Sequence, residues 1–392
     1  MNDMKVGIGR ERRHDIDWLR VLAVLLLIYF HTARIFDTDR FYVKNDPVSD
    51  GMDVFIGLVN MFHMPLLFLV SGVGTWFALG HRTGREYAAE RVRRLFVPFI
   101  FGTLVIVPPQ VYCILRGNPN IHTSYLEFYP QFFKFDLQTP GYVVSFEWAH
   151  LWFLIYLFVF SLLALPLLLH LRKERGKRLV ARLAAFCERP GAILLAAVPL
   201  AVFEGALRPA WPGMQNLCND WANFFFYITI FIYGYLIFSD PRFGRAIERH
   251  GKPALALGFG CVAIGLLLFV TDSEPARAYS PGYVLVRMLH GVNTWFWLVA
   301  ILAFGRKWLN FSNKLLTYAN ETVLPFYIWH QTAIVVVGFF VVRWNAGVMP
   351  KYLMISTASL IVTVILCELL VKPTNVTRFL FGMRQKKRRV PH

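Results

Sequence analysis

The chain has 392 residues, of which 56% are hydrophobic, 17% are charged and 36 are phenylalanine, so ordinary soluble, disordered, collagen-like and coiled-coil compositions are excluded. Lysine and arginine number 41 against 24 acidic residues, a formal net charge of +17. An excess of that size marks either a nucleic-acid footprint or the topology of a membrane protein, and the position of the charges along the chain decides between them.

A membrane-crossing helix needs roughly 20 mostly apolar residues to pass about 30 Å of hydrocarbon. Ten segments qualify: 18–36, 52–79, 95–115, 148–170, 192–207, 221–239, 253–271, 283–305, 315–341 and 352–371. The fifth is short and contains Glu204, which fits a tilted or re-entrant helix; it is kept because the alternation of the connections requires it. With that alternation, 30 basic residues fall on one side, in the N-terminal tail and in 82–94, 172–189, 242–252, 306–314 and 372–389. Eight fall on the other side, and Arg20, Arg34 and Arg287 stay within spans. The positive-inside rule then puts both termini in the cytoplasm.

The expected fold is an all-α integral membrane protein, a polytopic bundle of about ten transmembrane helices. A basic N-terminal tail covers 1–17, the transmembrane domain 18–371 and a basic C-terminal tail 372–392. The bilayer is the expected partner of the basic tail at 384–389; nothing resembling a helix-turn-helix, a zinc finger or an aromatic-basic alternation argues for nucleic acid. The first apolar run ends Phe30-His31-Thr32-Ala33-Arg34, without a small-x-small cleavage site, so it is expected to remain as the first helix. Cys113, Cys187, Cys218, Cys261 and Cys367 lack C-x-x-C spacing, so neither zinc nor a redox motif is expected; Cys113 and Cys218 both fall near the outer face, and their pairing is open. The connection 116–147 is too short for a domain but rich in aromatic and polar residues, as a lid or substrate platform is.

Titratable side chains cost about 2.5–3.5 kcal/mol at a helix centre in the bilayer, so each one in a span is a functional candidate. Arg20 and His31 lie 11 residues apart on the first helix, which is about 16.5 Å of rise and within about 20° of one face. Snorkelling of Arg20, or its pairing with Asp17, is the structural alternative. Histidine exchanges a proton near neutral pH, which makes His31 the leading candidate for a general base. His63, His290 and His330 fall at comparable depth between the midplane and the outer face. With Arg287, Asn293, Asn320, Glu321, Tyr327 and Gln331 they read as the lining of one polar cavity. Glu147, three residues before His150, can orient that imidazole. Arg91 and Arg94 share a face at the cytoplasmic start of the third helix and, with Arg20, can form a cationic mouth for phosphates. Small residues in Phe68-Leu69-Val70-Ser71-Gly72-Val73-Gly74 permit close packing or a kink.

These strings resemble the membrane-bound acyltransferase-3 family of bacterial O-acyltransferases. The resemblance is spread over the chain: Asp17-Trp18-Leu19-Arg20 through His31, Phe68-Leu69-Val70-Ser71-Gly72, Arg91-Val92-Arg93-Arg94 with Pro98, His150-Leu151-Trp152-Phe153-Leu154, and Leu324-Pro325-Phe326-Tyr327-Ile328-Trp329-His330-Gln331. The first and fourth strings look most like the branch called glucan biosynthesis protein C, associated with succinylating periplasmic glucans. Some members add a periplasmic hydrolase-like domain; here only 372–392 follow the last span. The resemblance implies transfer of an acetyl or succinyl group from cytoplasmic acyl-CoA to a hydroxyl of an extracytoplasmic carbohydrate, in the bacterial cytoplasmic membrane. His31 would be general base or transient acyl carrier beside Arg20. Arg91 and Arg94 would hold the acyl-CoA, with no metal expected. A transporter or flippase is the competing class, since it too keeps titratable groups at the midplane, but its repeat symmetry is not found.

Overall fold

The computed structural model describes residues 13–118, 120–134, 138–139, 142–143, 146–213, 215–273, 275 and 277–386. The basic residues Lys5, Arg10, Arg12, Lys387, Arg388 and Arg389 lie outside the described residues.

Among these residues eight helices are long and apolar enough to cross a membrane: His14–Ala33, Asp50–Leu79, Gly84–Gly117, Trp221–Ser239, Pro241–Val270, Pro281–Trp308, Lys314–Val341 and Val348–Val371. A ninth crossing is the pair Ala149–Leu163 and Leu165–Leu171, bent by 49°. The bend falls at Ala164, just ahead of Pro166, whose ring removes a helical hydrogen bond. Ala192–Leu207 is a shorter apolar helix that begins as a 3₁₀ turn. Taken in chain order, these ten elements are called the first to tenth spans below. The protein is an all-α, multi-pass membrane protein; its one recorded strand pairing joins Gln138–Thr139 to Tyr142–Val143 in the loop before the fourth span.

Two expected boundaries move. The third span begins at Gly84 rather than 95, and the seventh at Pro241 rather than 253. Both helices run out of the apolar zone into basic, water-facing turns, so hydropathy alone stops too soon. Thr83 starts the third span with a capping box to Glu86, and the seventh helix carries Pro253 within it. The open question of a disulfide also closes, because all five cysteines are free.

Helix breaks follow proline. Three π turns, Val92–Phe96, Gly102–Ile106 and Cys367–Val371, each close on the residue before a proline: Val97 before Pro98, Val107 before Pro108 and Lys372 before Pro373. A proline ring displaces the carbonyl four residues earlier, and a widened turn accommodates it. One displaced carbonyl has a recorded side-chain donor. Leu104, four before Pro108, accepts from the Tyr129 hydroxyl at 3.0 Å, and this bond docks the short outer helix Tyr125–Phe132 on the third span.

The first span lies inside the bundle, against the second, eighth, ninth and tenth. The clefts of the basic face are joined by shared residues: Arg20 and Arg13 line one, Arg13 and Arg306 a second, and Arg20 and Arg384 a third. The described ends of the chain therefore share one face, as the charge alternation requires.

Gly72 and Gly234 bring the second and sixth spans into backbone contact. A Cβ on Gly72 would fall on the Phe231 carbonyl oxygen, and one on Gly234 on that of Leu69, whereas Gly74 has open space. Gly72→Ala should therefore lower the melting temperature in detergent by the equivalent of about 1–3 kcal/mol of overpacking. Gly74→Ala should leave it unchanged; equal behaviour of the two variants would contradict the close approach.

Candidate active site

Arg20 and His31 both stand on the unbroken first span, on the strip that also carries Val24 and Leu27 inward. Arg20 Nη2 donates to Asp17 Oδ1 at 2.8 Å and to Asn320 Oδ1 at 2.5 Å, so the pairing with Asp17 is real and the ninth span shares it. The pairing leaves Arg20 facing a cavity of about 330 Å³ on the basic face. The mouth of that cavity holds Arg20, Arg82, Arg91, Arg94 and Arg384 around a single lining carboxylate, Glu90. Glu90 pairs with Arg82 at 3.3 Å, Arg91 at 3.2 Å and Arg94 at 3.4 Å. Arg91 is further fixed over the Tyr87 ring at 4.7 Å. Positive charge exceeds negative there, so the mouth favours an anion.

Deeper in, the walls become apolar, with Val24, Leu67, Phe153 and Leu157, and reach Tyr327. The Tyr327 hydroxyl donates to the main-chain carbonyl of His150, and its ring lies 5.7 Å from His150 and 5.6 Å from His330. His330 in turn lies 4.9 Å from His150 and 5.2 Å from His31, centroid to centroid. Three imidazoles from the first, fourth and ninth spans thus meet behind the tyrosine that lines the cavity.

Their tautomers follow from their partners. A carbonyl can only accept, so the ring nitrogen facing one carries the hydrogen. His150 donates from Nε2 to Ile328 O at 3.0 Å, and His330 donates from Nδ1 to Tyr327 O at 2.5 Å. The remaining nitrogens, His150 Nδ1 and His330 Nε2, are buried without a partner. His31 differs: its Nδ1 is also buried and unpartnered, and no carbonyl holds its ring. Of the three, only His31 has no backbone partner fixing one nitrogen as a donor. His150 owes its place to Ala149, whose φ of +46° is left-handed and strained for a residue with a Cβ.

The remaining sequence candidates divide. His63 gives Nδ1–H to Val59 O at 3.0 Å, where the second span breaks ahead of Pro65; its ring lies tilted 4.6 Å from Phe30, and it stands within electrostatic reach of His31. Gln331 joins an amide chain: its Nε2 donates to Gln110 at 2.8 Å, and Gln110 donates to Thr332 at 2.7 Å. The expectation that Glu147 orients His150 is corrected. Its carboxylate accepts from the Tyr42 hydroxyl at 2.6 Å, and the His150 ring is oriented by Ile328. The expectation of one cavity holding all the histidines is corrected too. Arg287 lies over the Tyr283 ring at 5.0 Å, and with His290 it stands within electrostatic reach of Glu204. That carboxylate belongs to a second cluster. Arg208 Nε donates to Glu204 at 3.0 Å and its Nη2 to Asn223 at 2.8 Å, Asn223 donates to Asp220 at 3.1 Å, and the Tyr156 hydroxyl donates to Asp220 at 2.5 Å. Asn293 donates to Met61 Sδ and Glu321 accepts from Arg378, both outside the three-histidine cluster. Gln110, Tyr42, Tyr156 and Arg384 were not singled out from sequence; only their partners across the bundle distinguish them. Among the described residues no group of three or more His, Cys, Asp or Glu is placed to hold a metal ion.

A cationic mouth, an apolar passage and a buried cluster of bases are the parts of a membrane-embedded group-transfer site. The acyltransferase-3 family model, described as an acyltransferase domain, matches residues 13–371, and the chain belongs to that family. It is an acyltransferase of groups other than aminoacyl. Among curated proteins it is similar to the glucans biosynthesis protein C of Escherichia coli O6:K15:H31 (strain 536 / UPEC), of strain SMS-3-5 / SECEC and of strain K12 / DH10B. Each is 22% identical over 359 residues, which is 85% of this chain and 85% of the relative. No solved structure matches the chain.

Burial holds the Glu147 carboxyl above its ordinary 4.5, and the Tyr42 bond offsets only part of that shift. A raised folded-state value costs nothing below the unfolded value and weakens the fold as pH rises through and above it. Glu147→Gln, which keeps an acceptor for Tyr42, should raise the melting temperature at pH 7 and leave it equal to wild type at pH 4. A difference that is the same at both pH values would refute the burial of a charge there.

Proposed function

We propose that the protein moves an acetyl or succinyl group from cytoplasmic acyl-CoA to a hydroxyl of an extracytoplasmic carbohydrate, in the bacterial cytoplasmic membrane. The carrying observation is the continuity of the cavity, which runs from five arginines on the basic face to Tyr327, with the three histidines directly behind. Acyl-CoA matches that gradient end for end. Its phosphates suit the guanidinium mouth, where Arg91 and Arg94 bind them and Arg20 steers them. Its thin pantetheine arm suits the apolar passage, and the 11-residue separation of Arg20 from His31 corresponds to about 16.5 Å along the helix.

At the inner end His31 acts as general base. It takes the proton from the acceptor hydroxyl as that oxygen attacks the thioester carbonyl; the new C–O bond forms, the C–S bond breaks, and the thiolate leaves. His330 and His150, locked as donors to carbonyls, keep bare nitrogens beside it. A bare nitrogen on His330 stabilises the His31 imidazolium that the proton transfer creates. Direct transfer is favoured over an acyl-enzyme, because among the described residues the one hydroxyl of the cavity wall besides Tyr327, that of Ser71, is engaged with Leu67 O at 2.7 Å. The carbohydrate approaches from the outer side, where His31 lies in the last turn of the first span. The relatives' printed name, glucans biosynthesis, supports a glucan-like acceptor.

His31→Ala should lower kcat for acyl transfer by about 10²–10⁴ without loss of membrane insertion. Near-normal turnover would eliminate His31 as the base. Arg91→Ala should raise KM for acyl-CoA about tenfold while leaving KM for the acceptor unchanged. The reverse pattern, measured with purified protein and labelled succinyl-CoA or acetyl-CoA, would place the donor elsewhere.

A further inference from the structure

The residues after the tenth span were read from sequence as a basic tail, but 375–386 form a fitted piece of the basic face. The helix Asn375–Leu380 is followed by a return in which Lys386 N–H donates to Asn375 Oδ1 at 2.8 Å. Arg378 is 6% exposed; its Nη2 reaches Glu321 Oε1 on the ninth span at 2.7 Å and its Nε holds the Arg384 carbonyl at 2.7 Å. Phe381 stacks 5.8 Å from Trp329, the neighbour of His330, and meets Phe101 of the third span edge-on at 5.3 Å. Gly382 has φ +67°, and a Cβ there would come within 2.7 Å of Leu324, 2.8 Å of Arg94 O and 3.0 Å of Pro98. Arg94 Nε donates to Gly382 O at 3.2 Å. The turn is therefore seated on the corner that Pro98 makes in the third span.

Arg384 is carried by that turn into the mouth of the 330 Å³ cavity and also lines a neighbouring cavity of about 700 Å³ with Arg82, Arg93 and Arg94. A residue serving topology alone needs only to be on the right side of the membrane. Here an ion pair of a buried arginine, an aromatic stack and a left-handed glycine fix the backbone within two residues of Arg384. They place a fifth guanidinium beside four others that share the one lining carboxylate Glu90, so the cluster keeps an excess of positive charge that a bound anion offsets.

We propose that the segment 375–386 is a wall of the donor pocket and that Arg384, carried by a turn beyond the last span, binds the phosphate groups of the donor. The proposal rests on reading that cavity as the acyl-CoA pocket. Binding of CoA to the full-length protein in detergent, measured by calorimetry at low and moderate salt, tests it. Arg384→Ala should weaken binding about five- to tenfold, as loss of one charge-assisted contact does, and flatten the salt dependence. Gly382→Ala, which removes no charge but unseats the turn, should weaken it to a similar degree, while Arg384→Lys should recover most of the affinity. Wild-type affinity in Arg384→Ala, with binding impaired in Arg91→Ala, would overturn the wall and keep the donor reading. Absence of CoA binding to the wild-type protein would overturn both.

Discussion

The interior depends on a rule of accounting: the hydrocarbon of a bilayer offers no water, so main-chain polar groups take their partners from within the protein. Where helices are regular the rule is invisible. At the centre of this bundle it decides the tautomers, because Ile328 O and Tyr327 O each draw the hydrogen of one imidazole and thereby bare the opposite nitrogen. His150 and His330 become fixed acceptors as a result. His31, which faces no carbonyl, is left as the ring able to gain and lose a proton without breaking a backbone bond.

The same rule, applied to proline, shapes the two ends of the site. Pro98 and Pro108 of the third span each displace a carbonyl that meets a segment from outside that helix. On the outer side the freed carbonyl of Leu104 takes the Tyr129 hydroxyl and seats the loop helix. On the basic side the carbonyl of Arg94, four residues before Pro98, is the surface against which Gly382 fits. Pro108 thus seats a loop helix and Pro98 a terminal segment on one helix, and Arg94 is held at the second of these contacts.

How much of this was legible in the sequence follows from the range of each signal. The ten apolar runs could be read because hydrocarbon thickness sets a length that composition reveals directly. Their ends were misread at Gly84 and Pro241 because an amphipathic basic turn resembles a connection. Arg20 and His31 were legible since both lie on one helix, where spacing fixes relative position. His330 could be placed only by depth and His150 only by its position at the start of the fourth span, and their contact with His31 required the packing of the first, fourth and ninth spans. The partner of Glu147 was invisible: Tyr42 lies 105 residues earlier, and nearness in sequence favoured His150 instead. Arg287 and His290 were grouped with the wrong cluster for the same reason, since depth alone does not say which neighbour a helix face meets.

The cationic excess illustrates how structure divides a signal that composition cannot. Positive-inside charge and anion-binding charge occupy the same face and are the same residue types, so counting them never separates the two. Their restraint does. Lys177 and Glu174, both more than half exposed, pair on the surface of the connection between the fourth and fifth spans; a pair of that kind contributes little to stability. Arg91 is stacked on Tyr87, Arg94 is tied to Gly382, and Arg378 is buried against Glu321. Ordering such side chains costs conformational entropy, roughly 2 kcal/mol for a fully fixed arginine, with no topological return. Arg91 and Arg94 line one cavity and Arg378 holds the turn that carries Arg384 into it, whereas Arg208 is restrained in the separate cluster of Glu204 and Asn223; restraint combined with convergence on the passage toward Tyr327 is what separates anion-binding charge from the rest.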